Sequence, residues 1–303
     1  MRHIILDTDF CSDCDDAVAI RLLANLHLRG EIVLEGIILD SVIASSAPAL
    51  GALMRLCGIE DVPVGADRNE GAYDTESRYH KRLIARGTPF AANAQVRDGV
   101  SLYREILANA GEKISIAGVG FENVLADLLK SPPDAVSPLD GKALVKENVD
   151  ALWLMAGRWD AADGWEFNVA HNGATAAAAA YVADHCPVPI IYSGWEIGHP
   201  VISCARLPKE HPLREVMEDY CGVRYDGSNN GRSSYDPMTA LLACVGDVGK
   251  GGYSAVYGKA VIDPQSGKNR FIRDPEGKDC YVKKRFPDAY YASMIDELIL
   301  CRA

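Results

Sequence analysis

The fold of this chain is decided near its N-terminus by the stretch Ile4-Ile5-Leu6-Asp7-Thr8-Asp9-Phe10-Cys11-Ser12-Asp13-Cys14-Asp15-Asp16-Ala17-Val18-Ala19-Ile20. The apolar run at its start predicts a buried strand, and the periodicity from residue 17 to residue 26 predicts a helix. Five aspartates therefore lie in or beside the turn that joins the two. In open α/β sheets, ligands bind outside the carboxyl ends of the strands, where this turn lies. Because crowded carboxylates repel one another and a hard cation relieves that repulsion, the stretch predicts a cation site.

Helix capping is the alternative explanation of these aspartates. Ser12 or Asp13 can accept hydrogen bonds from the first turn of the helix, and acids there interact favourably with the helix dipole. Capping accounts for one or two acids. It does not account for five, of which Asp7 and Asp9 come at the end of the strand.

The composition of the 303-residue chain is that of an ordinary globular protein, with 48% hydrophobic and 24% charged residues. The net charge of −11 argues against a general binder of nucleic acids or anionic membranes. We expect no signal peptide, because Asp7 interrupts the early apolar run, and no membrane span. The nine scattered cysteines favour reduced thiols in a cytoplasmic protein. Cys11 and Cys14 form a CxxC, but no second pair completes a zinc site.

The order of the later segments predicts a single domain over residues 1–303. Residues 32–39 and 62–65 are predicted strands with a helix from about Ala47 to Cys57 between them, and this βαβαβ order is typical of a parallel sheet. Val- and Tyr-rich pieces near the end predict an antiparallel edge, followed by a last helix. We therefore predict an α/β fold with an open, mostly parallel central sheet flanked by helices. Residues 67–98 break the alternation and form either a lid insertion or a surface excursion without a role.

Polar residues follow several of the later strands, and parallel strands bring such residues to one edge of the sheet. The Gly-rich turn at Gly118-Val119 is one example. Taken singly, Glu166 and Asn168 are also common as loop or capping residues. Asp236 before Pro237 is, by itself, the pattern of an N-cap followed by proline at the first helical position.

Four segments resemble, in the same order, signature segments of the inosine-uridine-type nucleoside hydrolases. The family's DxD…DDA signature is matched here by Asp7-Thr8-Asp9 with Asp15-Asp16-Ala17, and its DVPV strand is matched by Asp61-Val62-Pro63-Val64. Its EFN(V) segment is matched by Glu166-Phe167-Asn168-Val169, and its late (H/W)DP segment by Tyr235-Asp236-Pro237. The resemblance implies a Rossmann-like nucleoside hydrolase fold and a homo-oligomer, either a dimer or a tetramer.

The resemblance also implies a Ca²⁺-dependent N-ribohydrolase. The implied protein ligands of the ion are Asp9, Asp16, Asp236 and the main-chain carbonyl of Val119. Asp9 is also the implied general base for a Ca²⁺-bound water that attacks the sugar C1′, since the cation lowers the pKa of that water. Hydrogen bonds to the ribose hydroxyls can strengthen as the sugar gains positive charge. Their implied partners are Asp15, Glu166 and Asn168.

The chain departs from the family pattern at several site positions. Two extra residues between the DxD and the DDA leave Asp13 as an acid without a role. Asp160 stands where well-known members carry an asparagine, and Asp40 or Ser41 stands where another asparagine is expected. We therefore take Asp40 and Asp160 as candidate substrate-binding residues. Tyr235 replaces a histidine proposed as the leaving-group acid in some members, and is the candidate acid here.

Other side chains could serve the leaving base. His80 and His199 are further candidates for the acid, and each is also common as a plain surface histidine. Trp159, Trp165 and Trp195 could stack on a purine or simply pack.

The predicted function is hydrolysis of the N-glycosidic bond of a ribonucleoside to ribose and free base, in nucleoside catabolism or purine and pyrimidine salvage. The predicted partner is a small-molecule nucleoside or related ribosyl substrate. A catalytically weak relative that binds a ribosyl ligand, as a sensor or accessory protein, is the alternative. A metal-dependent phosphohydrolase is less favoured, because that class leaves the Glu166-Phe167-Asn168 segment unexplained.

Overall fold

The computed structural model describes residues 1–41, 43–69 and 76–300. The strands of the described residues are β1 (Arg2–Thr8), β2 (Ile32–Leu39), β3 (Val64–Ala66), β4 (Arg97–Asp98), β5 (Ile114–Gly118), β6 (Val149–Leu154), β7 (Ile190–Tyr192), β8 (Ile202–Ser203), β9 (Arg232–Ser233), β10 (Tyr253–Ile262), β11 (Asn269–Arg273) and β12 (Asp279–Lys284). The α-helices are α1 (Asp15–Leu28), α2 (Ser46–Cys57), α3 (His80–Ile84), α4 (Gly99–Ala108), α5 (Asn123–Lys130), α6 (Gly141–Asn148), α7 (Phe167–Ala170), α8 (Gly173–His185), α9 (Trp195–Gly198), α10 (Arg214–Cys221), α11 (Tyr235–Val245) and α12 (Asp288–Leu300).

The central sheet has ten strands in the order β11-β10-β12-β7-β6-β5-β1-β2-β3-β4. Strand β10 pairs antiparallel with β11 and β12, and the other pairs within the described sheet are parallel. The predicted α/β architecture, with its antiparallel edge, is therefore confirmed. From β1 the chain builds the sheet first through β2 and β3, and later in the other direction through β5 and β6. The strand order thus reverses between β1 and β5, and a crevice for ligands forms at such a reversal.

Strand β1 is buried on both faces, which explains its unbroken apolar run. Ile4 and Leu6 belong to one hydrophobic cluster and Ile5 to the other, and all three side chains are fully buried. Helices cover both faces of a parallel sheet, so strands at its centre do not alternate between apolar and polar residues. Full burial of each such side chain stabilises the fold by about 1.5–3 kcal/mol.

The strand ends beside β1 are aligned by main-chain hydrogen bonds that continue beyond the strands. The amide of Val119 donates to the carbonyl of Asp7 (2.7 Å), and the amide of Met155 donates to the carbonyl of Gly118 (2.8 Å). These bonds hold the residues after β1, β5 and β6 level with one another. The acids that follow β1 therefore meet the Gly118-Val119 turn.

Some local predictions were wrong in detail. Helix α11 begins at Tyr235, so Asp236 lies in its first turn and the capping position falls to Ser234. Helix α6 was not predicted, although the side chain of Asp140 caps it by accepting from the amide of Ala143.

The segment 67–98 is described apart from residues 70–75, so the part of the predicted insertion at Glu70 and Gly71 lies outside the described residues. It contains α3 and ends in β4, which pairs with β3 at the edge of the sheet. Ion pairs join it to α10, with Arg82 2.7 Å from Asp219 and Arg86 bound to Glu215. Its role as a lid stays a prediction.

None of the helices in the described part of the chain is both long and apolar enough to cross a membrane.

Candidate active site and metal centre

A pocket of about 310 Å³ opens at the carboxyl ends of β1, β5 and β6, beside the reversal of strand order. Its described lining residues are Asp9, Ser12, Asp13, Asp15, Asp16, Val119, Met155, Trp165, Glu166, Phe167, Asn168, Trp195, Arg232, Tyr235 and Asp236. Pockets that bind small molecules combine an apolar wall with a few converging polar groups. This lining has such apolar and aromatic residues, and its polar part consists largely of carboxylates, which favour the binding of a cation.

Three buried carboxylates lie together at the base of this pocket. Oxygen atoms of Asp15, Asp16 and Asp236 all lie within 4.8 Å of one another. Burial raises the pKa of all three well above the usual value, and repulsion from neighbouring acids raises each further. Removing a carboxylate from water without a compensating charge is unfavourable. An all-oxygen donor set under such repulsion fits a hard cation such as Ca²⁺.

Asp9 stands beside this triad and is almost fully buried. Burial raises its pKa to about 6, although hydrogen bonds from Asp16 and Cys11 oppose the rise. The Cys11 thiol lies 3.1 Å from Asp9 Oδ2 and donates to it. The next residue, Phe10, has a φ of +30°, which is uncommon outside glycine and marks local strain where the chain leaves β1.

Glu166 and Asn168 also line the pocket. The Glu166 carboxylate caps α7 and accepts from the amides of Asn168 (2.8 Å) and Gly157 (3.1 Å), while burial raises its pKa to about 7. The Asn168 side-chain amide donates to the carbonyls of Val119 (2.9 Å) and Met155 (3.0 Å). Both residues therefore have a capping or bracing role and also face the pocket. A carbonyl oxygen has two lone pairs, so Val119 can accept from Asn168 and still bind a cation.

Asp40 and Asp160 are not among the described lining residues. Asp40 is fully buried behind the site, against Asp7, whose carboxylate accepts from the Tyr103 hydroxyl. Asp160 lies outside the pocket and pairs with Arg158 at 2.7 Å. The structure therefore brings neither of these two candidate substrate-binding residues into the pocket.

Gly120 has no room for a side chain. A Cβ atom there would lie 2.3 Å from the Asp9 amide nitrogen and 2.4 Å from Asp40 Oδ2. We expect Gly120→Ala to lower the free energy of unfolding by about 1–3 kcal/mol, because the backbone at Asp9 must shift to admit the methyl group. Chemical denaturation measures the change. Gly111→Ala is the matched control, since nothing lies within 4 Å of a Cβ at Gly111. Equal stabilities of the two variants would contradict the close approach.

Tyr235 and Trp195 also line the pocket. The Tyr235 hydroxyl lies 2.9 Å from His199 Nδ1, and burial raises the pKa of this tyrosine. Trp195 stacks on the exposed His199 ring at a centroid distance of 4.0 Å. Trp165 also lines the pocket and is 55% exposed, so two of the three candidate tryptophans, Trp165 and Trp195, lie at the pocket.

His80 and Trp159 belong to the core. His80 stacks on Phe10 at 5.1 Å, and burial lowers its pKa to about 3, so it is neither a surface histidine nor an acid near neutral pH. Trp159 packs against Tyr192 and donates its indole N–H to the carbonyl of Ala156 (3.0 Å). Tertiary packing places both side chains in the core, and neither is among the described residues that line the pocket.

The sequence reasoning missed Arg232. Its Nε donates to Asp13 Oδ1 at 2.8 Å, and its Nη2 donates to Asp13 Oδ2. Its guanidinium lies 5.4 Å from the ring centroid of Tyr220 and 5.7 Å from that of Tyr235. The two members of the ion pair are 219 positions apart, and no local pattern marks Arg232. The only signal in the sequence was Asp13 itself, an acid without a counterpart in the family pattern and without a positively charged neighbour in its own segment.

No protein-family model matches the chain, and neither does any curated protein. The structure is similar to a purine-preferring ribonucleoside hydrolase from Gardnerella vaginalis, with a TM-score of 0.72 and 14% identity over 99% of this chain and 98% of that one. An inosine-uridine preferring nucleoside hydrolase from Bacillus anthracis gives a TM-score of 0.66 and 15% identity over 99% of each chain. A type III effector protein complexed with adenosine diphosphate ribose gives a TM-score of 0.71 and 16% identity, over 98% of this chain and 93% of that one.

These likenesses extend over nearly the whole of each chain, at identities that show the fold alone. This chain therefore has the fold of the nucleoside hydrolases.

Proposed function

We propose that this protein hydrolyses the N-glycosidic bond of a ribonucleoside and releases ribose and the free base, with the help of a bound Ca²⁺ ion. The observation that carries the proposal is the composition of one pocket. A buried aspartate triad, Asp9, Glu166 and Asn168 line it together, in a fold shared with nucleoside hydrolases.

Asp9, Asp16, Asp236 and the carbonyl of Val119 would hold the ion. Asp15 also belongs to the observed triad, so its carboxylate would lie close to a cation held there and would add to the negative charge that attracts it. When bound, the ion would supply positive charge that offsets the carboxylate repulsion and lowers the pKa of a nearby water.

The protein side chains would do the remaining chemistry. Asp9 would take the proton of the attacking water, because its carboxylate lines the pocket beside the triad that would hold the ion. Asp15, Glu166 and Asn168 would bind the ribose hydroxyls. Negative charge on this side of the sugar favours the positive charge that develops at C1′ as the glycosidic bond breaks.

Tyr235 would give a proton to the departing base. A tyrosine with a raised pKa is a weak acid by itself, but its hydroxyl is hydrogen-bonded to His199. The imidazole is exposed to solvent and can replace the proton that Tyr235 gives up. Trp165 and Trp195 would stack on the base and orient it.

The proposal is tested by assaying a panel of purine and pyrimidine nucleosides for release of reducing sugar, with and without a chelator. We expect turnover of at least one nucleoside, its loss on chelation, and its recovery when Ca²⁺ is returned. Mg²⁺ should recover less, because it demands stricter octahedral geometry than an irregular carboxylate site provides. Full activity in chelator would contradict the metal-dependent mechanism, and no release from any nucleoside would contradict the function.

A second candidate function is binding of a ribosyl ligand without turnover. It is favoured by the similar fold of an effector protein that was solved with adenosine diphosphate ribose. Equilibrium binding of adenosine diphosphate ribose or a nucleoside, with no reducing sugar over hours, would support it. The cytoplasmic location and the homo-oligomeric state stay predictions.

A further inference from the structure

The ion pair between Asp13 and Arg232 is the part of the pocket that the proposed function does not use. The Asp13 carboxylate binds Arg232 through both oxygens, and its Oδ1 also accepts from the amide of Cys14 at 2.6 Å. The hydroxyl of the buried Tyr79 donates to the carbonyl of Asp13. The Asp13 carboxylate and the Asp13 carbonyl are therefore each held by a hydrogen bond, and the carboxylate in turn holds the Arg232 guanidinium in one position.

The Arg232 guanidinium keeps one side available to a ligand. Its Nε and Nη2 bind Asp13, whereas Nη1 has no hydrogen-bond partner among the described residues. The rings of Tyr220 and Tyr235 flank the group and limit its movement. Arg232 lines the pocket next to Tyr235, the residue that would protonate the base. An arginine that is already ordered loses little entropy when it donates to a ligand.

The net charge of the pocket lining determines whether a charged or a neutral substrate is favoured next to Arg232. The described lining carries six carboxylates, and Arg232 is its one cationic side chain. One of those carboxylates, Asp13, is already bound to the guanidinium. A substrate with a free phosphate would bring further negative charge into this field, which is unfavourable. A neutral glycoside avoids that repulsion, and negative charge then appears only on its leaving group as the bond breaks.

We infer that Arg232, held in place by Asp13, stabilises the negative charge that develops on the departing base of a neutral ribonucleoside; this inference rests on the proposed function. As the bond from C1′ to the base nitrogen breaks, its electron pair moves onto the base. The water oxygen forms the new bond to C1′, the water proton goes to Asp9, and the base receives a proton from Tyr235. Arg232 keeps its protons and acts through its charge and the Nη1 hydrogen bond.

The experiment compares two leaving groups in the full-length, Ca²⁺-saturated protein. One substrate is the best-cleaved nucleoside of the panel, whose base is a poor leaving group. The other is 4-nitrophenyl β-D-ribofuranoside, whose nitrophenolate leaves without help. We expect Arg232→Gln to lower kcat for the nucleoside about 100-fold. Its KM should change little, and its kcat for the nitrophenyl riboside should stay close to that of the wild type.

Further variants separate this role from a structural one. Arg232→Lys keeps the charge without the planar fork, so its kcat for the nucleoside should lie between those of Arg232→Gln and the wild type. Asp13→Asn should shift nucleoside turnover in the same direction as Arg232→Gln, by a smaller factor. Arg224→Gln is the matched control, because Arg224 is exposed in the segment that precedes β9 and is not among the described residues that line the pocket.

The possible results are distinguishable. Equal losses of kcat on both substrates, or no loss on either, would overturn the role of Arg232 while leaving the proposed function intact. A wild-type protein that cleaves neither substrate would overturn the proposed function, and the role of Arg232 with it. A loss confined to the nucleoside supports the inference.

Discussion

Replacing Asp9 with asparagine is expected to lower kcat for nucleoside hydrolysis by a factor of about 10⁴. Asparagine has nearly the same shape as aspartate but cannot accept the proton of the attacking water. The Cys11 thiol that donates to Asp9 Oδ2 and the neighbouring Asp16 hold this side chain in one orientation, so the substitution changes chemistry more than packing. The measurement is single-turnover release of reducing sugar.

Calcium binding of the Asp9→Asn variant, measured by titration calorimetry, separates the two roles proposed for Asp9. If the variant binds Ca²⁺ more weakly and has lost turnover, Asp9 is both a ligand of the ion and the general base. If it binds Ca²⁺ normally and has lost turnover, Asp9 is the general base alone. Asp163→Asn is the control, because Asp163 is exposed and pairs with Lys268 outside the pocket. A variant at Asp9 that keeps the activity of this control would show that another group takes the proton.

The metal-free protein is expected to lose stability as the pH rises from about 4 to above 6. Burial raises the pKa of Asp7 and of Asp9 from 3.8 to about 6. Between these values the folded protein holds protons that the unfolded chain has released, so the free energy of unfolding falls as pH rises. The shift corresponds to about 3 kcal/mol for each carboxyl. Burial raises the pKa of Asp15, Asp16 and Asp236 as well, so they add to the loss.

Saturating Ca²⁺ is expected to restore the part of the folding stability that is lost because the carboxyl groups of the metal site lose their protons. A ligand that binds only the folded state at about 100 times its Kd stabilises the protein by about 2.7 kcal/mol. Chemical denaturation in chelator and in Ca²⁺, near pH 5 and near pH 7.5, measures the difference. The Ca²⁺ effect should be larger at the higher pH, because protons compete with the ion for the carboxylates.

Asp236→Asn provides the matched variant for this experiment. Removing one charge from the triad should make the chelated protein more stable near neutral pH than chelated wild type, and should also remove most of the response to Ca²⁺. The prediction is wrong if Ca²⁺ stabilises the wild type equally at both pH values, or if the variant responds to Ca²⁺ as the wild type does.

The fold and the acidic turn after β1 could be predicted from the sequence because they depend on local patterns. The apolar run Ile4 to Leu6 marks a strand that is buried on both faces, and the acids after it must lie at the carboxyl end of that strand. The apolar segments beyond it repeat the alternation of strand and helix that builds a parallel sheet. Glu166 and Asn168 were located by their segment, and the structure brings both into the pocket with Asp9.

The tertiary structure decided which of the remaining polar and aromatic side chains reach the pocket. His80 and Trp159 look like surface or binding residues in the sequence, yet packing places both in the core. Asp40 follows a strand as Asp9 does, but it lies behind the site against Asp7. Periodicity shows which face of an element is buried, and does not show which distant segment covers that face.

The pair formed by Asp13 and Arg232 shows this limit most clearly. Each residue is an ordinary charged residue within its own segment, and the contact exists only because β9 folds back over the turn after β1. The acidic turn was therefore evident from the chain alone, as a consequence of local strand and helix patterns. Its cationic partner depends on an interaction across 219 positions, which local physical chemistry does not encode.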